Sequence, residues 1–415
     1  MNQVHQWLKV LNIDITITVL SRFLLLILGF ISSIIYARFL GPEGRGAIFL
    51  VLTMASMIVQ FGSLGLHTSN TYLVARDKSL LGGLLTNSIW VSIFITSLSM
   101  ATVLIIQKTH LLPGIPAAYL WFAAAFAAPM LFYMFGANLL VGINRIRTFN
   151  LLEIGNRFVN FVFIVIAVLL SLNVNGFLWF GLGANILVSI LVLLLLRYKS
   201  GDSLKFRPTL FKSGFRYALK AYFTGLLSFL VMRGNVYLLQ WYGGLKQLGY
   251  VSVCYNLVDM MVILPTSVSL IVFPNLIRKQ EEKWNITLKN TVMVGILTLI
   301  ACLILVVIAK PFITIIFGAE FVPAFPILIR MLPGIFFLSM ITVLSQYLAA
   351  SGFPPLVIGS WLLVLVIVLV VGWFLIPKMA GIGVAIAFST GYTLLFILIF
   401  GLAWFIKRQS SLKTM

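Results

Sequence analysis

From Ile15 to Ile406 the chain is a succession of predominantly apolar runs of about 20 residues, separated by short clusters of glycine, proline and charged side chains. Such runs lack the alternation of a half-buried strand and the single apolar stripe of a soluble helix, and each is long enough to cross a hydrocarbon layer of roughly 30 Å as a helix. Set against the breaks, the pattern predicts twelve spans at 15–37, 48–72, 81–106, 117–142, 151–171, 177–197, 216–240, 249–275, 287–309, 325–350, 356–376 and 382–406. The first fourteen residues are polar, and the run after them ends without a small-residue cleavage site, so the first span is read as retained.

Every connection but one is short. The exception runs from Arg197 to Lys220, carries seven basic residues around a helix-breaking Pro208, and predicts a division into an N-terminal lobe (1–200), a basic linker (201–215) and a C-terminal lobe (216–415). Basic residues also fix the orientation. With the N-terminus in the cytoplasm, 19 Lys and Arg fall on that side and 6 on the other, so both termini are expected inside.

Composition then narrows the class. The 415 residues are 61% hydrophobic and 9% charged, whereas soluble chains are about a quarter charged. The formal charge of +20, from 29 basic and 9 acidic residues, would raise nucleic acid in a soluble protein. Here the basic residues sit between the spans, which fits orientation signals and contacts with anionic membrane lipids instead. Cys254 and Cys302 lie inside apolar runs with no CxxC, so neither a disulfide nor a metal site is expected.

The halves resemble one another. FLGPEGRGAIFLV (Phe39 to Val51) aligns with WYGGLKQLGYVSV (Trp241 to Val253), and LLVGINRIRTFNLLEI (Leu139 to Ile154) aligns weakly with YLAASGFPPLVIGSW (Tyr347 to Trp361). Six spans separate the copies, so they enter the membrane in the same sense, as parallel repeats about an axis along the membrane normal. That arrangement goes with a substrate site at mid-depth. The fold expected is therefore all-α and integral to the membrane, with twelve transmembrane helices in two six-helix lobes.

Two stretches carry a wider resemblance: SRFLLLILGFISSIIYARFLGPEGRGAIFLV (Ser21 to Val51) and TIIFGAEFVPAFPILIRMLPGIFFLSMITVLSQYLAASGFP (Thr314 to Pro354). With the twelve-span count, they make the chain similar to polysaccharide flippases of the O-antigen type, in the multidrug/oligosaccharidyl-lipid/polysaccharide exporter superfamily. The second-half loop GGLKQLG departs from the LGPE form. The resemblance implies a bacterial inner-membrane flippase for an undecaprenyl-diphosphate-linked oligosaccharide, cycling between inward-open and outward-open states. It implies as further partners the polysaccharide polymerase and the chain-length regulator of the same biosynthesis.

Charge within the spans marks candidate chemistry: Arg22 (span 1), Glu153 and Arg157 (span 5), Arg233 (span 7), Asp259 (span 8) and Arg330 (span 10). Each costs about 2.5–3.5 kcal/mol at a helix centre, so such residues face protein or water. Four arginines against two acids leave the interior positive. A guanidinium is a planar fork of donors suited to phosphate oxygens and does not deprotonate, so Arg233, Arg22, Arg330 and Arg157, with Asn235 beside Arg233, are candidate diphosphate ligands. Arg22 and Arg330 are also near enough to span ends to snorkel. Glu153 and Arg157, spaced i,i+4, form a candidate structural ion pair. Asp259 is a candidate for proton or Na⁺ coupling, for a partnership with Arg233, or for a structural polar cluster.

His67 in the HTSN run reads as an interfacial histidine or a relay. Gln60 and Asn87 read as groups satisfied between helices, and Tyr133, Tyr222 and Tyr237 as rings able to stack on sugars. No GxxxxGK[ST], H-E-x-x-H or G-x-S-x-G is present, so neither nucleotide hydrolysis nor catalysis is expected of the chain, and no cofactor. The rival readings are a cation-coupled multidrug exporter of the same superfamily, which should carry acidic residues in place of the arginines, and a peptidoglycan lipid flippase, which should have fourteen spans. An oligosaccharide polymerase would need an outer loop larger than any here.

Overall fold

The computed structural model describes residues 13–112, 114–200, 206–278, 281–352 and 354–413; Lys9, Lys279 and residues 201–205 of the expected linker fall outside them. Within these residues the chain is helical, with α1 Ile13–Gly62, α2 Leu66–Arg76, α3 Leu81–Thr109, α4 Ala117–Gly142, α5 Ile146–Leu169, α6 Val174–Ser200, α7 Pro208–Arg233, α8 Asn235–Arg278, α9 Lys283–Ile316, α10 Ala324–Ala350, α11 Pro355–Met379 and α12 Gly381–Lys413. Two single-turn 3₁₀ segments, Lys78–Leu80 and Ala319–Phe321, complete the described elements.

Ten stretches are long and apolar enough to cross a membrane, and two of these, Leu24–Gly62 (39 residues) and Tyr222–Ser269 (48 residues), are about twice the needed length. Each contains one glycine with non-helical dihedrals at positive φ, and the second is also interrupted at Gly234, between α7 and α8. Gly41 has φ 65° and ψ −175°, and Gly244 has φ 69° and ψ −176°, a region open in practice only to glycine. Folding the two long stretches at these glycines gives the twelve spans. The protein is a multi-pass, all-α membrane protein.

The same two glycines fix the internal repeat. The sequence alignment paired Phe39 with Trp241, which sets Gly41 against Gly243; the backbone instead equates Gly41 with Gly244, one residue further on. Sequence identity cannot choose between the adjacent Gly243 and Gly244, but only one of them adopts the positive φ. In the corrected register Gly46 matches Gly249 and Pro42 matches Leu245. The contacts are reciprocal: a Cβ on Gly46 would run into the Leu245 carbonyl, and one on Gly249 into the Pro42 carbonyl.

Cα packing divides the chain into two units, one of the described residues of Met1–Ile35 and Leu50–Gly225, the other of Tyr36–Phe49 and Leu226–Met415. In the first, α4 is the central helix, packed by α2, α3 and α6, with Leu84, Leu131, Phe135, Leu139, Leu140 and Val192 in its core. In the second, α10 is central, packed by α8, α9 and α12, with Ile327, Leu328, Met331 and Ile335 buried. Outer helices turn apolar side chains such as Ile304 and Val307 outward, the surface a lipid solvent requires.

Three local expectations change. The break in span 2 comes at Ser63 to Gly65, where Leu64 (φ 48°) and Gly65 (φ 70°) leave the helix before α2 resumes. Pro208 opens α7 rather than breaking a helix, since at the first position its missing N–H has no intrahelical partner to lose. Asn87 is satisfied not by another helix but by the linker: its Nδ2 donates to the Arg207 carbonyl (2.9 Å) and its Oδ1 accepts from the Arg207 N–H (2.8 Å). Both cysteines are buried and free, Cys254 Sγ lying 3.4 Å from the Ala324 carbonyl.

The glycine contacts give a direct test. Gly46→Ala and Gly249→Ala should each destabilise the purified protein by about 1–3 kcal/mol, the cost of overpacking, read as a lower thermal midpoint in detergent. Gly29→Ala, with nothing within 4 Å of the added methyl, should hold or raise that midpoint.

Candidate anion-binding site

Arg233 is the last residue of α7, and Gly234 separates it from Asn235, the first residue of α8. A cation at that place complements the negative end of the α7 dipole. Its guanidinium carbon lies 4.2 Å from the centroid of the Tyr255 ring and 5.4 Å from that of Phe49. The two rings stack on each other, with centroids 5.9 Å apart and planes 20° apart. Tyr255 is held in turn by its hydroxyl, which donates to the Met232 carbonyl at 2.6 Å.

Asp259 lies one helical turn beyond Tyr255 on α8, and its Oδ2 is 3.4 Å from Arg233 Nη2. The pair is lopsided: the arginine side chain is 16% exposed and the aspartate 52%. Arg233 Nη1 is buried with no hydrogen-bond partner among the described residues. A buried donor without an acceptor costs about 1–3 kcal/mol, more when charged, so this arginine is kept at some expense to the fold. Two rings hold the cation without offering lone pairs, one carboxylate reaches it at long range, and a buried N–H edge remains for an acceptor such as an oxyanion.

The structure thus brings Arg233 and Asp259 together, the partnership that was one of three readings of Asp259. Asn235 is adjacent in sequence but turned elsewhere: it is buried, donates from Nδ2 to the Val368 carbonyl (3.2 Å), and packs on Gly372 of α11. Arg330 is exposed, and its Nη1 bends back to the Pro326 carbonyl of its own helix (2.9 Å). Arg22 is on α1, with its side chain outside the described residues. In the other unit, Glu153 accepts a hydrogen bond from the Tyr133 hydroxyl at 2.8 Å, while Arg157 is exposed one turn on.

Three arginine environments escaped the sequence reading. Tyr255 was detectable as an aromatic residue four before Asp259, on the same helical face. Phe49 carries no such signal, since it comes from α1. Arg45, placed in an outer loop by the charge count, is 5% exposed and donates from Nε to Ser252 Oγ at 2.8 Å, with its guanidinium over the Phe317 ring. Arg38 donates from Nε to the Ile316 carbonyl at 3.0 Å and from Nη2 to the Ile315 carbonyl, covering the end of α9.

The two-unit, twelve-span architecture with its glycine-folded helices has the fold of the transporters of the MOP superfamily. The lipid II flippase MurJ in its inward closed conformation superposes with a TM-score of 0.74 at 14% identity, covering 92% of this chain and 86% of that one. An inward-facing multidrug resistance MATE family transporter of the MOP superfamily gives 0.73 at 17%, covering 94% and 95%. A MOP superfamily transporter from Pyrococcus furiosus Vc1 gives 0.61 at 16%, covering 95% of each. No curated protein matches the chain in sequence. Residues 35–326, about seven-tenths of the chain, match the polysaccharide biosynthesis protein family, and the chain belongs to that family.

If Arg233 is held for binding rather than for stability, Arg233→Met should leave the thermal midpoint of the purified protein unchanged or raised, because an apolar side chain of similar reach removes an unsatisfied buried donor. A clear fall in the midpoint would make the guanidinium a structural group.

Proposed function

We propose that the protein is a flippase that carries an undecaprenyl-diphosphate-linked oligosaccharide from the cytoplasmic to the outer leaflet of a bacterial inner membrane by alternating access. Both termini are cytoplasmic on this reading. Family membership supplies the polysaccharide context, and the MurJ likeness in fold supports a lipid-linked cargo. The observation that carries the reading is Arg233, which among the described residues has a buried nitrogen lacking an acceptor and a half-exposed carboxylate as its ion-pair partner. Diphosphate oxygens provide the missing acceptors, while a cationic drug provides none and is repelled. Arg22, Arg157 and Arg330 are additional contacts for the anionic headgroup. The polymerase and the chain-length regulator of O-antigen synthesis act next on the product.

The driving force on this reading is electrical. With the inside negative, outward movement of an anion releases about 2.3 kcal/mol per charge per 100 mV, so a diphosphate bearing two charges gains roughly 4–5 kcal/mol. Asp259 adds a proton or Na⁺ to the cycle.

Two measurements test this. In cells, Arg233→Ala should abolish surface polysaccharide at normal membrane levels of protein, and Arg233→Lys should retain part of it, because an ammonium keeps the charge but loses the fork. In proteoliposomes, flipping should proceed without ATP and respond to an imposed inside-negative potential. At clamped potential, Asp259→Asn should weaken the dependence on an ion gradient while the voltage response stays. Wild-type polysaccharide from the alanine variant, or flipping only with ATP, would overturn the assignment.

A further inference from the structure

Helix α5 carries two different exposed faces. Leu151 and Phe158, 69% and 54% exposed, point to one side, as expected against lipid. On the opposite side, at steps of three, one and three residues, stand Glu153, Asn156, Arg157 and Asn160, all half-buried or exposed. Asn160 lies fourteen residues into a helix of spanning length, about 20 Å along its axis, so this polar face reaches well into the membrane. A face holding a carboxylate, a guanidinium and two amides is not tolerated by hydrocarbon, so it is turned to protein or water; of the four, Arg157 is exposed.

The polar groups are joined in a row. Tyr133 of α4 donates to Glu153 Oε1 (2.8 Å), Asn160 Nδ2 donates to Asn156 Oδ1 (2.8 Å), and Asn185 Nδ2 of α6 donates to Asn160 Oδ1 (3.2 Å). Two of the three amides also anchor themselves to backbone, Asn160 on the Asn156 carbonyl and Asn185 on the Gly181 carbonyl, each at 2.8 Å. Backbone anchoring fixes where the free edges point and lowers the entropy lost on binding.

We infer that this row, on Glu153, Asn156, Asn160 and Asn185 with the Tyr133 hydroxyl, is a subsite for the sugar part of the cargo. Sugar hydroxyls donate as well as accept, and with the amide N–H groups of Asn160 and Asn185 spent within the row, their oxygens present acceptor lone pairs to such hydroxyls. A protein–sugar hydrogen bond replaces two bonds to water and contributes only about 0.5–1.5 kcal/mol, so a row of groups is needed where one would not discriminate. The inference rests on the diphosphate reading of Arg233.

The test uses the full chain in lipid nanodiscs, with farnesyl diphosphate and a panel of farnesyl diphosphates bearing one neutral hexose or N-acetylhexosamine. At least one glycosylated probe should bind the wild type about tenfold tighter than farnesyl diphosphate, the worth of one or two such hydrogen bonds. Asn160→Ala and Asn156→Ala should each remove most of that difference while the affinity for farnesyl diphosphate stays within about twofold. Asn156→Ala leaves the Asn160–Asn185 bond between α5 and α6 in place, which guards against a variant that merely fails to fold. Arg233→Ala should weaken both kinds of probe alike. Equal binding of glycosylated and plain probes by the wild type, or a difference that survives in both asparagine variants, would overturn the sugar subsite alone. Failure of every probe to bind would overturn the diphosphate reading, and the subsite with it.

Discussion

A charged side chain or an open carbonyl inside a hydrocarbon layer has no water to turn to, so it must find its partner within the protein or stand beside a wet surface. Much of the polar architecture here answers that constraint. Arg38 takes the carbonyls of Ile315 and Ile316 at the end of α9, and Arg45 is buried on Ser252. Ser269 Oγ lies 2.9 Å from the Thr342 carbonyl, and Ser389 Oγ donates to the carbonyl of Arg330. Among the described residues several buried polar atoms lack a partner, including Thr96 Oγ1, Asn235 Oδ1 and Tyr237 OH, and the Nη1 of Arg233 is the one that carries a permanent charge.

The turn at Gly41 shows how the constraint shapes the fold. The long helix breaks at Gly41, whose positive φ a glycine adopts without strain, and Pro42, with no N–H to pair, follows directly. The surrounding segment, Tyr36–Phe49, then packs with the second unit, not with the remainder of its own helix. There its side chains meet the stretch before α10: Arg38 on the end of α9, Arg45 over Phe317, and Gly41 beside Glu320. Parts of the two sequence stretches that carried the family resemblance, Arg38 to Arg45 and Ile315 to Glu320, therefore meet in three dimensions.

How much of this the sequence disclosed follows from the range of the interactions. Spans are set by local hydropathy, and their number and limits were readable, with errors where one residue decides: the restart at Leu66, the extension of α7 back to Pro208, and the choice between Gly243 and Gly244. A repeat register depends on backbone dihedrals, which two adjacent glycines conceal. The charged residues of the site were all visible as misplaced charge, and Asp259 was weighed as a partner for Arg233. Phe49 was not visible, because a ring brought to Arg233 from another part of the chain leaves no periodic trace. The row on α5 was half visible. Glu153 and Arg157 stood out by charge and suggested an i,i+4 pair, whereas Asn156, Asn160 and Asn185 are uncharged, and only their alignment in space gives them meaning.

Donor counting at Arg233 bears on the proposed anionic cargo. A guanidinium presents five N–H donors. Among the described residues, Arg233 meets one acceptor oxygen, at 3.4 Å on a carboxylate that is half in solvent, together with two ring faces. Cation–π contact contributes about 0.5–2 kcal/mol and restrains the group, but it leaves the N–H edges without lone pairs. Asp259 cannot hold the arginine strongly, because a half-exposed pair at that separation is screened and contributes little. An incoming phosphate therefore competes with a weak partner and supplies acceptors the protein lacks, gaining charge-assisted bonds of the stronger kind. A cationic cargo would have to displace nothing and satisfy nothing, and would meet like charge at close range. The electrostatics of this one residue support the proposal of an anionic headgroup over that of a cationic drug.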